Sequence, residues 1–313
     1  MNKFLKEVLE GLHSEPKYLL SKYFYDKAGD KLFQQIMDSD EYYPTKSELE
    51  IFTTQTHELA KTIKNGFDSF DLIELGAGDA TKSSHLLQQL IIEKANFTYY
   101  PIDISKSMVA HLEEVLPQKI NGLQVTGLNG EYFQMLEKAS QISSKMKVVL
   151  FLGSNIGNVP LNEAQKFCQT LRSHLKKGDF VLMGFDLKKN PHVILAAYND
   201  AKGYTKAFNL NLLKRINKEL NADFDISSFE HYAMYDPETG ACKSYLISLK
   251  NQTVKINQSN LIRFKENEFV FMEISQKYSI PQTDELAKAS GFKPVKHFVD
   301  NKLWFLDTVW ECQ

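Results

Sequence analysis

Apolar and polar positions along the chain follow two rhythms. From about residue 60, short apolar runs alternate with longer stretches whose apolar positions recur every three or four residues. The runs "DLIEL" (71–75), "FTYYPI" (97–102), "GLQVT" (122–126), "KVVLFL" (147–152) and "DFVLMGF" (179–185) have the length and bulk of buried strands. Between them lie "TKSSHLLQQLIIEK", "SKSMVAHLEEVL" and "LNEAQKFCQTLRSHLKK", which carry helical spacing. Strand and helix in repeated alternation predict a parallel sheet with right-handed crossovers.

After Asp186 the rhythm changes. The stretch from Asn190 to Asn221 is mostly helical in pattern. "FEHYAMYDPETGACKSYLISLK" then reads as two strands joined at Pro237-Glu238-Thr239-Gly240, a favourable turn tetrapeptide. "EFVFMEIS" (268–275) is a further strand, and the tail returns to helix, strand, strand. The pattern predicts one α/β domain, 60–188 with 276–313, and a smaller lobe formed by 1–59 and the insertion 189–275.

Composition narrows the function. A chain of 313 residues with 43% apolar and 24% charged residues has the make-up of an ordinary globular protein. Its 37 basic and 39 acidic residues nearly balance, and no dense basic stripe offers a phosphate-binding face, so nucleic acid is not an expected partner. No apolar run approaches the roughly 20 residues of a membrane helix, and the amino terminus lacks the apolar core of a signal peptide. Three scattered cysteines and eight scattered histidines make neither a disulfide framework nor a metal motif. A cytoplasmic, metal-free monomer acting on a small molecule is the expectation.

Two loops carry the candidate chemistry. In "IELGAGDATKSS", Glu74 ends the first strand, Gly76 and Gly78 allow a sharp turn and close backbone approach, and a helix follows. A dinucleotide fingerprint places a third glycine where this chain has Thr81, which weakens the alternative of a nicotinamide oxidoreductase. The next strand ends in Asp103, an acid suited to both hydroxyls of a ribose. The second loop, "GSNIGN" after the strand at 147–152, lies at the carboxyl edge of the sheet, where ligands of such folds bind. It offers Asn158 as both donor and acceptor on a glycine-flexed turn.

Glu74, Gly76, Gly78 and Asp103 together resemble the cofactor site of class I S-adenosylmethionine-dependent methyltransferases. A closer resemblance extends from about residue 20 to the end. "KYFYDKAGDKLFQQIMDSDEYYPTKSELEIF", "FLGSNIGNVP", "AAYNDAKGYTKAFNLNLLKRINKELNADFD" and "FEHYAMYD" are similar to the L-histidine Nα-methyltransferases of ergothioneine biosynthesis. The resemblance implies a Rossmann-like class I methyltransferase sheet with a second, smaller α+β lobe. It implies S-adenosyl-L-methionine as cofactor and free L-histidine as substrate, trimethylated on its α-nitrogen to hercynine.

Position by position, the resemblance places the cofactor on Gly76, Lys82 and Asp103. Asn129 and Gly130 stand where the family carries an Asp-Phe pair near the adenine. It assigns Asn158 and Tyr198 to the substrate carboxylate, Tyr42 to the amine side and Tyr25 to the reacting nitrogen. Glu273 and Ser275, two apart and so on one strand face, are assigned to the imidazole. Ser244 replaces a methionine of the family pocket, so another free amino acid or small amine is the alternative substrate.

Overall fold

In the computed structural model, which describes residues 2–313, four of the five central apolar runs become strands of one sheet. In chain order the amino-terminal elements are α1 (Lys3–His13), β1 (Lys17–Tyr18), α2 (Lys27–Met37), α3 (Tyr43–Thr54) and α4 (Thr56–Lys64). The alternating region follows as β2 (Phe70–Leu75), α5 (Ser83–Ile92), β3 (Phe97–Asp103), α6 (Lys106–Lys119), β4 (Leu128–Asn129) and α7 (Tyr132–Ile142). It continues through β5 (Met146–Phe151), α8 (Leu161–Ser173) and β6 (Phe180–Asp186). Next come α9 (Pro191–Ala197), α10 (Tyr204–Leu220), β7 (Phe229–Asp236), β8 (Ala241–Ser248), β9 (Gln252–Ile256), β10 (Asn260–Phe264) and β11 (Phe269–Gln276). The chain closes with α11 (Ile280–Ala289), β12 (Phe292–Val299) and β13 (Phe305–Cys312).

Two compact units result: Met1–Tyr43 with Lys189–Gln276, and Pro44–Lys188 with Lys277–Gln313. The larger unit holds a seven-stranded sheet in the order β12-β13-β6-β5-β2-β3-β4. Strands β2 to β6 pair in parallel, and β13 runs antiparallel to both β6 and β12. This is the Rossmann-like sheet that the sequence reading expects. Neighbouring residues on its strands serve opposite faces. Leu72, Val148 and Leu182 pack with Ile51, Phe52, Leu59, Leu86 and Leu112. Ile73, Val149 and Val181 pack with Leu136, Ala164, Leu171 and Ala287.

Three features depart from the sequence reading. Residues 44–59, placed there in the smaller lobe, carry Ile51, Phe52 and Leu59, which sit in the core of the larger unit's sheet. "GLQVT" runs beside β3 for only two backbone bonds, Tyr99 N to Gln124 O at 2.9 Å and Thr126 N to Tyr99 O at 2.9 Å. The paired segment is β4, just beyond it. The helical stretch after Asn190 splits in two because Asp200 accepts from the amides of Tyr204 (2.8 Å) and Thr205 (2.7 Å), and so caps α10. Tyr198 therefore stands at the carboxyl cap of α9 rather than inside a helix.

The smaller unit contains a four-stranded sheet, β1-β11-β8-β7, and an antiparallel pair, β9-β10, that the sequence reading did not resolve. Phe208, Leu212 and Ile216 of α10 bury Leu246, Val270 and Met272 of the sheet. No helix among the described residues is long and apolar enough to cross a membrane.

In the larger unit a buried ion pair ties two segments distant in sequence. Lys277 Nζ lies 2.7 Å from Asp186 Oδ2, with both side chains almost fully enclosed. Beside it the backbone bonds Tyr278 N to Asp186 O (3.0 Å) and Lys188 N to Tyr278 O (2.8 Å) join the chain leaving β6 to the chain entering α11. Removing one partner of a buried pair takes away the other's nearest counter-charge. Lys277→Met is expected to cost about 3–5 kcal/mol in urea denaturation, and a loss below about 1 kcal/mol would show that the pair adds little to stability.

Candidate active site

The cofactor-type residues gather at the carboxyl ends of β2, β3 and β5 in the larger unit. After Leu75 the chain turns through Gly76 (φ +72°) and Gly78 (φ +53°), and the Gly76 amide donates to Ile102 O at 2.8 Å. A Cβ on Gly76 would lie 2.8 Å from the Tyr132 hydroxyl, whereas one on Gly78 would meet nothing within 4 Å. The first glycine thus makes room for a tyrosine, and the second faces open space.

Asp103 closes this side. Its Oδ1 accepts from Ser105 N at 2.8 Å, and its Oδ2 accepts only a long 3.3 Å bond from Gly78 N. Asn129 Nδ2 donates to the carbonyls of Asp103 (2.9 Å) and Ile104 (3.0 Å), and Gly130 N donates to Asp103 O at 3.1 Å. Asn129 and Gly130 therefore fix the backbone at Asp103. The ring beside the glycine loop is Tyr132, which the sequence reading passed over. Burial first, then the Asp103 and Glu131 carboxylates, push its hydroxyl up to about 12.

Glu74 lies at the base of the loop and is 4% exposed. It accepts from the Tyr99 hydroxyl at 2.5 Å. Burial raises its pKa to about 7, against the lowering effect of its bonds to Tyr99 and Ser83. The fold therefore favours the protonated acid. Its contribution to stability is full below the ordinary glutamate value of 4.5 and is lost as pH rises through about 7. Glu74→Gln is expected to flatten the fall in Tm across that window, and a variant with the wild-type pH dependence would assign the fall to another group.

Lys82 precedes α5, and its ammonium pairs with Glu48 of α3. Burial works against the charge, but the carboxyl groups around it, Glu48 first and then Asp307 and Glu74, together hold the Lys82 pKa above the usual lysine value. Asn158 lies exposed on the turn after β5, where its Nδ2 stands 3.4 Å from Asn155 Oδ1. Positive-φ glycines, a carboxylate at the end of β3 and an ammonium at the helix start fit S-adenosylmethionine. Asp103 offers carboxylate oxygens that would suit a pair of hydroxyls, and the open side of Gly78 leaves space for close backbone approach.

The substrate-type residues gather in the smaller unit. Along β11 the register shifts between Phe271, opposite Tyr245, and Glu273, opposite Ser244. Residues of β8 alternate in burial, with Cys242, Ser244 and Leu246 inside. The shift is a β-bulge that turns Glu273 to the inner face, so Glu273, Ser275 and buried Ser244 share it. The Ser275 hydroxyl lies 2.7 Å from the Tyr198 hydroxyl. The Tyr198 ring lies 6.3 Å from that of Tyr42, which lies 6.4 Å from Phe33. Tyr25, 45% exposed, packs edge-on to Phe33 at 5.5 Å and Phe208 at 5.6 Å. His231 Nε2 reaches the Tyr198 carbonyl at 3.2 Å, and burial lowers its pKa, so it favours the neutral form.

The structure thus brings Tyr25, Tyr42, Tyr198, Ser244, Glu273 and Ser275 into one unit. Glu74, Gly76, Gly78, Lys82, Asp103, Asn129, Gly130 and Asn158 belong to the other. Among the described residues no group of three or more His, Cys, Asp or Glu is arranged to hold a metal ion.

Comparison with known proteins points the same way. The model of a family described as histidine-specific, S-adenosylmethionine-dependent methyltransferases matches residues 4–312. The chain is 33% identical to the histidine N-alpha-methyltransferase of Mycolicibacterium smegmatis, over 87% of this chain and 84% of that one. It is 30% identical to the histidine N-alpha-methyltransferase of Mycobacterium tuberculosis, over 94% and 90%. It is 29% identical to an L-tryptophan methyltransferase of Psilocybe serbica, over 94% and 89%.

Proposed function

Because the chain belongs to the histidine-specific, S-adenosylmethionine-dependent methyltransferase family, we propose that it trimethylates the α-amino group of free L-histidine, the hercynine-forming step of ergothioneine biosynthesis. The observation that carries the substrate is the bulge that sets Glu273 on the inner face of the smaller unit's sheet, beside Ser275 and its Tyr198 partner. A carboxylate and a hydroxyl on one face match the two nitrogens of an imidazole. The nicotinamide alternative falls with the family membership.

When bound, S-adenosylmethionine supplies an electrophilic methyl carbon on a sulfonium. Asp103 would hold the ribose, and the Lys82 ammonium, already paired with Glu48, would face the donor's carboxylate. The protein's remaining task is to present a neutral amine in line, about 3 Å from that carbon. An α-amino group has an unperturbed pKa of about 8, so a modest shift on entering a dry site suffices and no strong base is needed. Tyr25 and Tyr42 orient the amine through their hydroxyls. Their ring faces favour the cation that persists through successive transfers. Glu273 fixes the tautomer and direction of the imidazole and favours its protonated form.

A second reading, another free amino acid, is favoured by Ser244. This buried side chain lies opposite Glu273 and is shorter than the methionine it replaces. A methyl-transfer assay over the twenty amino acids, read by product mass, tests both readings. Mono-, di- and trimethylated histidine are expected, and exclusive turnover of another amino acid would replace the first reading with the second.

A further inference from the structure

Glu48 takes no part in the steps above, yet it joins both ligand-facing loops of the larger unit. It extends from α3 and is wholly buried. Its Oε1 accepts from the Gly153 amide at 2.7 Å, and its Oε2 pairs with the Lys82 ammonium. Gly153 opens the turn that carries Asn158, and Lys82 closes the loop that begins at Gly76. These loops leave the adjacent parallel strands β5 and β2. One carboxylate thus fixes the start of one loop and the end of the other.

The surroundings are built to hold it. Asp307 of β13 lies against Glu48, and neither of its oxygens receives a hydrogen bond from the described residues. A neutral Asp307 leaves Glu48 as the principal counter-charge of Lys82. Burial and the Glu48 carboxylate both favour that neutral form. The space comes from Gly184, where a Cβ would lie 2.6 Å from Glu48 Oε1 and 3.1 Å from Asp307 Oδ1. Glu74, bonded to Tyr99, is the remaining carboxyl facing Lys82.

We propose that Glu48 is the positioning residue for the methyl donor, setting the place of the Lys82 ammonium and the Gly153 turn without touching the ligand. The proposal rests on the reading of Gly76, Lys82 and Asp103 as the cofactor site. Calorimetric titration of the intact chain with S-adenosylhomocysteine tests it, with steady-state KM values for both substrates alongside. Wild-type protein is the control: failure of the wild type to bind S-adenosylhomocysteine sinks the cofactor reading itself.

Given wild-type binding, Glu48→Gln removes the counter-charge and keeps the shape. It is expected to weaken S-adenosylhomocysteine about tenfold or more, as for loss of a charged hydrogen bond, and to raise KM for S-adenosylmethionine in parallel. KM for histidine is expected to rise less than KM for S-adenosylmethionine, through Asn158 on the Gly153 turn. Glu48→Asp keeps the charge but withdraws it by one methylene, and an intermediate loss is expected. Wild-type affinity in either variant overturns the proposal. So does an equal rise in both KM values, which marks a general structural role.

Discussion

Glu273→Ala is expected to lower kcat/KM for histidine by about a hundredfold or more, while S-adenosylhomocysteine binds within about twofold of wild type. On the proposed reading, truncation leaves the substrate imidazole without its charged partner on the face that carries Ser275 and Ser244. A lost hydrogen bond to a charged group, with its partner left buried, costs about 3 kcal/mol, or about two powers of ten. The cofactor-type residues belong to a different unit from β11, so donor affinity is expected to survive. Glu273→Gln keeps one hydrogen bond and is expected to fall between the two. Histidine turnover at the wild-type rate by the alanine variant would remove Glu273 from the substrate site and the histidine assignment with it.

Asp103→Ala is expected to show the opposite signature. Both ribose hydroxyls lose an ionised acceptor, at about 1.5 kcal/mol or more each, so S-adenosylhomocysteine binding weakens about a hundredfold or more. The second effect is local: Ser105 N and Gly78 N lose their acceptor. Saturating donor is expected to restore most of kcat, because a ribose acceptor would lie away from the reacting centre. Unchanged affinity for S-adenosylhomocysteine would place the ribose elsewhere.

Much of this was legible along the chain. Runs such as "DLIEL" and "KVVLFL" announce buried parallel strands because such strands are covered on both faces and need no polar alternation. Gly76, Gly78 and Asp103 stand out because a backbone that must turn sharply at a strand end, followed by an acid at the end of the next strand, is a local chemical pattern. Tyr132 was less visible. It lies at the start of α7 and matters only because Gly76 has no side chain to exclude it. Glu48 did leave a trace, since its spacing from Ile51 and Phe52 puts a carboxylate on the apolar face of a helix.

By itself the sequence determined the strand–helix alternation, the loops at the strand ends and the residue types available for chemistry, since these depend on neighbours within a few positions. The partnerships were decided only by the tertiary structure. The bulge that turns Glu273 toward Ser244 exists because β8 and β11 pair out of step there. The meeting of Glu48, Lys82, Gly153 and Asp307 draws on four segments spread across most of the chain. The break between α9 and α10 depends on where Asp200 points. Register and burial are collective: each strand's facing is fixed by its partners, and a buried charge is tolerable only where distant segments supply its counterpart.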